Sequence, residues 1–286
     1  MNEISIGRFM VIEPLGSGAH STILHIRRNA DSKNYALKVV PIRGTDDLKF
    51  LEQGRHEFRV AQMLDHPNLI KVFALETPKD WLFRVRKVHL LLEYVNGKTL
   101  DTAPRLRVPQ LLQIFVQVAS ALVHMHRRHV YHADLKPNNI MVSKAGEVKV
   151  IDYGLAWIKG EPKNRVQGTP EYMAPETHKH KMVNERTDIY NFGATMYRMV
   201  TFRLPPSTLQ QEGGLPIDGK TFARMFKPVQ EFSPQAPPEL CDLIHRCLSF
   251  DANKRPERMS EVQSVLDRLA DELVTSPEDR LEALEW

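Results

Sequence analysis

The segment Tyr131-His-Ala-Asp-Leu-Lys-Pro-Asn-Asn-Ile-Met-Val142, continued past a glycine turn by Val148-Lys-Val-Ile-Asp-Tyr-Gly154, decides how the rest of this chain is read. It brings three oxygen acceptors, Asp134, Asn139 and Asp152, close to one cation, Lys136. Magnesium takes hard oxygen ligands and shares them with phosphate, so an Asn and an Asp joined by a hairpin suit a metal on a triphosphate. Asn139 and Asp152 are the candidate metal ligands. Asp134 is then left to accept a hydroxyl proton from an attacking group, and Lys136 to neutralise a phosphoryl group in transit.

Upstream, Gly16-Ser17-Gly18-Ala19-His20-Ser21 lies between two strand-like runs. A dinucleotide-binding glycine loop opens a helix instead, so that version is excluded. Two readings of this loop stand: a hairpin whose backbone N–H groups cover phosphates, or a tight hairpin with no ligand. Lys38 follows in the strand YALKVV, where burying an unpaired ammonium is costly. Glu57, on the next predicted helix, is a suitable internal partner, and nucleotide phosphates would supply the other anion.

Around these motifs the chain changes texture. From Ile6 to about Val95 it is mostly strand-like, interrupted by a helical pattern from about Leu48 to Leu64 that the Pro of Asp-His-Pro-Asn stops. After Gly97 it is mainly helical, with helices expected over 108–126, 186–199 and 238–248 and a short one around Phe222 in a Pro-rich stretch. The uncharged stretch from Val108 to His126 places Gln110, Gln113, Gln117, Ser120 and His124 in one stripe, as a largely buried helix of a soluble protein would. The expected organisation is a sheet-rich lobe at 1–95, a helical lobe at 96–275 completing the same domain, and a tail at 276–286.

With 42% hydrophobic and 26% charged residues in 286, the chain has the balance of a cored globular protein, which excludes disorder, collagen-like repeats and a disulfide scaffold. A formal charge of +4 is too small to imply nucleic acid, and none is expected. The start, MNEISIGRFMVIE, has no apolar run beside a basic N-terminus, so the expected location is the cytoplasm and no membrane segment is expected in this chain. Cys241 and Cys247 read as reduced core residues. The run His124-Met-His-Arg-Arg-His-Val-Tyr-His132 invites a metal reading, but it crosses a helix end, where tetrahedral ligands do not converge. Arg84, Arg86 and Lys87 fall on a hairpin and read as a solvated loop or a docking patch for acidic partners.

Taken together, the motifs resemble the eukaryotic-type protein kinase family, serine/threonine class, and look most like its bacterial members. Gly16 and Gly18 match its glycine-rich loop, Tyr35-Ala-Leu-Lys38 its strand lysine, Glu57 its helix glutamate and His132 to Asn139 its catalytic loop. Asp152-Tyr-Gly154 stands where the family usually has Asp-Phe-Gly, and Gly168-Thr-Pro-Glu-Tyr-Met-Ala-Pro-Glu176 matches the end of its activation segment. Asp188-Ile-Tyr-Asn-Phe-Gly193 resembles its central helix, and Arg255 the arginine that pairs with Glu176. Small-molecule kinases share the Asp, Asn and metal Asp but lack the GTPEYMAPE segment.

The resemblance implies an α+β, two-lobed kinase fold and transfer of the γ-phosphate of magnesium-bound ATP to a protein substrate, with manganese as an alternative metal. It implies that Lys38 orients phosphates and pairs with Glu57, that Asp134 is the base and that Lys136 stabilises transferred charge. The nucleotide would be covered by Gly16, Ser17, Gly18, Ala19 and Ser21. Ile23 and Ala36 would face the adenine, with Leu92 behind it and the main chain of Glu93 and Val95 at its edge. Two departures stand out. Ala133 replaces the family's usual arginine, which receives a phosphate from the activation segment, and the fourteen residues from Leu155 to Gly168 contain no Ser, Thr or Tyr. The expectation is a kinase that needs no phosphorylation there, held by packing through Trp157 and Ile158. The alternative is a pseudokinase scaffold that binds nucleotide and partners without efficient transfer.

Overall fold

The computed structural model describes residues 5–6, 8–18, 20–162, 167–180, 182–209 and 217–281. Ala19, part of the expected phosphate loop, lies outside the described residues, as do four positions of the 155–168 segment and the last five of the chain. The described contacts divide the chain into two compact units. One comprises the described residues to Asp65, with Leu69–Asn96 and Asp152–Gly154; the other comprises His66–Asn68, Gly97–Ile151 and the residues from Leu155 onward.

The first unit is an antiparallel sheet with one long helix. Strands β1 (Ser5–Ile6), β2 (Phe9–Ser17), β3 (Thr22–Arg28), β4 (Asn34–Pro41), β5 (Val72–Glu76) and β6 (Lys87–Glu93) run in the order β1-β2-β3-β4-β6-β5. Register fixes what shares a face. Ile23 lies opposite Lys38 and Ala36 opposite Leu92, so the period of two puts Ile23, Ala36, Lys38 and Leu92 on one side. The turn between β2 and β3 is closed by Gly18 N–H donating to the Ser21 carbonyl at 2.8 Å.

Helix α1 (Leu48–Gln62) buries Leu51, Gly54, Glu57, Val60 and Ala61 on its inner face, spaced at three and four residues. Leu51 joins Val40, Ile42 and Val88 in an apolar cluster flanked by Phe50, Leu75 and Val85. Gly54 has a specific cause: a Cβ there would come within 2.8 Å of Val88 Cγ1, so glycine lets the helix sit close enough to β6 to bring Glu57 over the sheet.

The second unit holds the short sheets β10-β9-β7 and β11-β8, from β7 (Gly97–Thr99), β8 (Val130–Tyr131), β9 (Ile140–Ser143), β10 (Val148–Val150) and β11 (Trp157–Ile158). Its helices are α2 (Val108–Arg127), α3 (Pro175–His180), α4 (Glu185–Thr201), α5 (Gly219–Met225), α6 (Val229–Phe232), α7 (Pro238–Cys247) and α8 (Met259–Leu273). The centre is α4, buried along nearly its whole length, with Phe192 meeting Phe115 of α2 edge to face at 5.9 Å. Asn184 caps α4 by accepting the Thr187 N–H at 3.2 Å. Cys247 sits where a Cβ on Gly193 would approach it to 2.6 Å, and both cysteines are buried free thiols.

Among the described residues α2 alone has the length and apolar character of a membrane span, yet 61% of that window is buried inside the protein. Its polar stripe explains why. Gln110 and Gln113 donate to the carbonyls of Glu278 and Asp279, Gln117 accepts from Asn68 and from Val148 N–H, and Ser120 meets His66 Nε2 at 3.2 Å. Each polar group on the buried face has an internal partner, as burial demands. The first residues after Thr275 therefore dock on α2, with Arg107 3.2 Å from Asp279 and Leu281 buried. The helix α8 is missing from the sequence reading, although Met259, Val262, Leu266 and Leu269 carry its buried face at legible spacing.

Glu176 and Arg255 form a bidentate pair at 2.7 and 2.9 Å, with the guanidinium side chain fully buried, stacked 4.8 Å over Tyr190 and donating to the carbonyls of Ser249 and Arg186. Burial makes each partner depend on the other. Arg255→Met is expected to destabilise the chain by about 3–5 kcal/mol because Glu176 loses its counter-ion, measured by urea unfolding; the double replacement Glu176→Gln/Arg255→Met should cost less than the single one.

Candidate active site

The candidate side chains fall into two groups, one in each unit. In the first, β4 projects Lys38 and α1 presents Glu57, and Lys38 Nζ donates to Glu57 Oε2 at 2.7 Å. Asp152 Oδ1 lies 3.5 Å from the same ammonium. Burial disfavours the charge on Lys38, but the two carboxylates outweigh it and hold the lysine above its ordinary range. Burial likewise pushes the Glu57 carboxyl upward, against the pull of Lys38. Asp152 takes a left-handed backbone, φ 67°, and its Oδ1 accepts the Gly154 N–H at 3.1 Å while 46% of its side chain stays exposed. Tyr153 is fully buried, and its hydroxyl finds a partner in the Ile70 carbonyl at 3.0 Å. On the same sheet Leu92 is half-buried and Ala36 buried, and the Glu93 N–H donates to the Lys71 carbonyl. Val95 makes no main-chain hydrogen bond among the described residues.

In the second unit the group is built around Asp134. Its Oδ1 accepts the Thr169 N–H at 2.7 Å and its Oδ2 the Lys136 ammonium at 3.0 Å, while Lys136 also reaches Thr169 Oγ1 at 2.5 Å. Gly168, at φ 137°, makes the turn that brings Thr169 back to Asp134, and a side chain there would be strained. Asn139 sits in a 3-10 turn, Pro137–Asn139, and donates its Nδ2 to the Asp134 carbonyl at 2.8 Å. That bond fixes the amide so that Oδ1 is the atom left to accept. The Asn139 amide oxygen in this unit and the half-exposed Asp152 carboxylate in the other are each a hard oxygen donor of the kind a magnesium ion takes.

What holds the backbone just before Asp134 is a carboxylate of α4, Asp188, whose role the sequence does not show. Asp188 is fully buried; its Oδ1 accepts the Ala133 N–H at 2.8 Å, and its Oδ2 accepts the His132 N–H and His126 Nε2, each at 2.8 Å. Ala133 is thereby kept in the left-handed region at φ 65°, a costly conformation that persists because its surroundings over-determine it. His126 Nδ1 lies 3.2 Å from Glu185, so the ring sits between two carboxylates. Burial works against its charge, but the bonds to Asp188 and Glu185 raise its pKa to about 9. The histidine run thus disperses: His124 tilts against His66, His126 serves Asp188, and His132 approaches the Ile151 carbonyl. The signal for His126 was its place beside the catalytic-loop motif.

The described residues just after Gly154 are held by strand pairing and ring stacking. Strand β11 pairs with β8, Trp157 opposite Tyr131, and the two rings stack at 5.8 Å. Trp157 Nε1 donates to the Glu161 carbonyl at 3.0 Å, and Lys159 N–H to that of His129 at 2.9 Å. Ala133 is buried in a cluster with Tyr131 and Val183, against which Trp157 packs.

Because the folded-state pKa of His126 lies above the ordinary histidine value, its contribution is complete below about pH 6.5 and is lost as pH rises through about 9. Stability is expected to fall by about 3 kcal/mol over that interval, and His126→Gln should flatten the profile. Thermal melts of both forms at stepped pH values measure this.

Comparison with known proteins agrees with the geometry. The profile of the protein kinase domain matches residues 9–266. The chain is similar to the serine/threonine-protein kinase PrkC of Bacillus subtilis (strain 168), 25% identical over 96% of this chain and 43% of that protein. It is similar to the serine/threonine-protein kinase pkn2 of Myxococcus xanthus, 28% identical over 91% of this chain and 32% of that one. A third relative is the cAMP-dependent protein kinase type 3 of Saccharomyces cerevisiae (strain ATCC 204508 / S288c), 28% identical over 88% of this chain and 61% of its own. The chain spans less than half the length of the two bacterial relatives. A sheet with a paired Lys38 and Glu57, a helical unit that locks Asp134, and a domain profile covering most of the sequence lead to one conclusion: the chain belongs to the eukaryotic-type protein kinase family, serine/threonine class, and resembles its bacterial members.

Proposed function

We propose that the chain is a protein serine/threonine kinase that transfers the γ-phosphoryl group of metal-bound ATP to a side-chain hydroxyl of a protein. The observation that carries this reading is the fixation of Asp134, held at both oxygens by Thr169 and Lys136, with the N–H of the preceding Ala133 bonded to Asp188. Asp134 orients the incoming hydroxyl and receives its proton. The hydroxyl oxygen bonds to the γ-phosphorus as the bond to the bridging oxygen breaks, and ADP departs. Lys136 offsets charge on the moving group. Lys38, steadied by Glu57, orients the α- and β-phosphates, beneath a loop of Gly16, Ser17, Gly18 and Ser21. Asn139 Oδ1 and the Asp152 carboxylate would hold magnesium, or manganese, which would supply charge to neutralise the phosphates. Ile23, Ala36 and Leu92 supply apolar contact to adenine, and the main chain of Glu93 and Val95 reads its edge.

The reading extends to regulation: the segment after Gly154 needs no phosphate. Its support is the β8–β11 pairing, the Trp157–Tyr131 stack, the apolar cluster around Ala133 and the lack of any hydroxyl from Leu155 to Gly168.

With labelled ATP, magnesium and a generic basic protein, the wild type is expected to phosphorylate, and Asp134→Asn and Asp152→Asn to fall by at least about a hundredfold. Equal signal in all three would defeat the kinase reading in favour of a nucleotide-binding scaffold. A phosphatase-treated sample should keep most of its activity. Loss of that activity, together with a phosphate mapped at or before Thr169, would overturn the regulatory part.

A further inference from the structure

The connection between β5 and β6 carries three apolar side chains outward, Trp81, Leu82 and Phe83, exposed by 85%, 45% and 82%. No ring contact covers Trp81 or Phe83 among the described residues. Water around large aromatic surface is unfavourable, and a pliant loop would fold such rings against its own sheet. This loop is not pliant. Asp80 Oδ1 accepts the N–H of Leu82 at 2.8 Å and of Arg84 at 3.0 Å, and Oδ2 accepts Arg86 Nε at 2.9 Å. The Phe83 N–H donates to the Asp80 carbonyl, the Asp80 N–H to that of Arg84, and the Arg86 N–H to that of Pro78. A bridge between Lys79 and Val85 closes the base, and Phe83 is held in the left-handed region at φ 60°. One inward-turned carboxylate therefore fixes the loop while its three apolar side chains stay exposed.

The apex has a charged base. Lys79, Arg84, Arg86 and Lys87 flank it, all exposed, against the carboxylates of Glu76 and Asp80, the latter consumed in holding the loop. Indole and phenyl rings settle at the headgroup depth of a bilayer, and lysine and arginine beside them meet anionic lipid phosphates. An exposed apolar tip flanked by the cations of Lys79, Arg84 and Lys87 suits an anionic interface. A cleft in a protein partner would have to combine a deep apolar pocket with an acidic rim.

We infer that the β5–β6 hairpin tip of this chain is a peripheral anchor for anionic lipid surfaces, inserting Trp81 and Phe83 while Lys79, Arg84 and Lys87 engage headgroup phosphates. The test is co-sedimentation of the whole chain with phosphatidylcholine vesicles, with and without 30% phosphatidylglycerol by design, together with tryptophan fluorescence. The wild type is expected to pellet with the anionic vesicles and to shift its emission to the blue. Trp81→Ser/Phe83→Ser should lose at least about tenfold in partitioning and lose the shift, at an unchanged melting temperature because both side chains are exposed. Arg84→Gln/Lys87→Gln should weaken binding about tenfold on anionic vesicles alone. A wild type that stays in the supernatant with both lipids, or a serine variant that binds equally, overturns the proposal. A concentration-dependent dimer lost in the serine variant, without lipid binding, would assign the tip to a second copy instead.

Discussion

A carboxylate without solvent supports most of what is functional in the second unit. Asp188 gathers two backbone N–H groups and an imidazolium around itself, and those bonds repay a desolvation that an isolated buried charge would not survive. In return it holds Ala133 in a backbone region that alanine avoids. The direction of the next residue, Asp134, follows from that strain, and the Lys136, Asn139 and Thr169 contacts follow from Asp134. Remove the carboxylate and the loop is free to relax to an ordinary conformation, taking the whole arrangement with it.

Much of the fold was legible because it rests on local period and punctuation. The strand-like runs before Asn96, the helix ended by Asp-His-Pro-Asn and the buried helix with its polar stripe all come from spacing that physics ties to one geometry. The residues proposed for the site are singled out by ordered motifs around Asp134, Asn139 and Asp152. What escaped was contact across long separations. Nothing in a linear reading pairs His126 with Asp188, or sends Gln110 and Gln113 to the residues after Thr275. Those partners exist because buried polar groups must be satisfied somewhere, and only the packed chain says where. The helix α8 differs, since the spacing of Met259, Val262, Leu266 and Leu269 is itself legible in the sequence.

The departure at position 133 illustrates how one residue type changes the means of holding a loop. An arginine there would be a receptor for a removable charge. Alanine instead leaves room for Tyr131, Val183 and Trp157 to close over the same place. Around Ala133 the described contacts are apolar packing, strand pairing and ring stacking.

The two cysteines have a practical corollary. Both are buried, and burial pushes the Cys247 thiol up to about 12 and the Cys241 thiol upward as well, so neither offers much thiolate near neutral pH. A thiol introduced at an exposed position would therefore stand almost alone before an alkylating dye. Single-site labelling for distance spectroscopy becomes available on this scaffold without first removing its native cysteines, one of which fills the close approach of α4 to α7 beside Gly193.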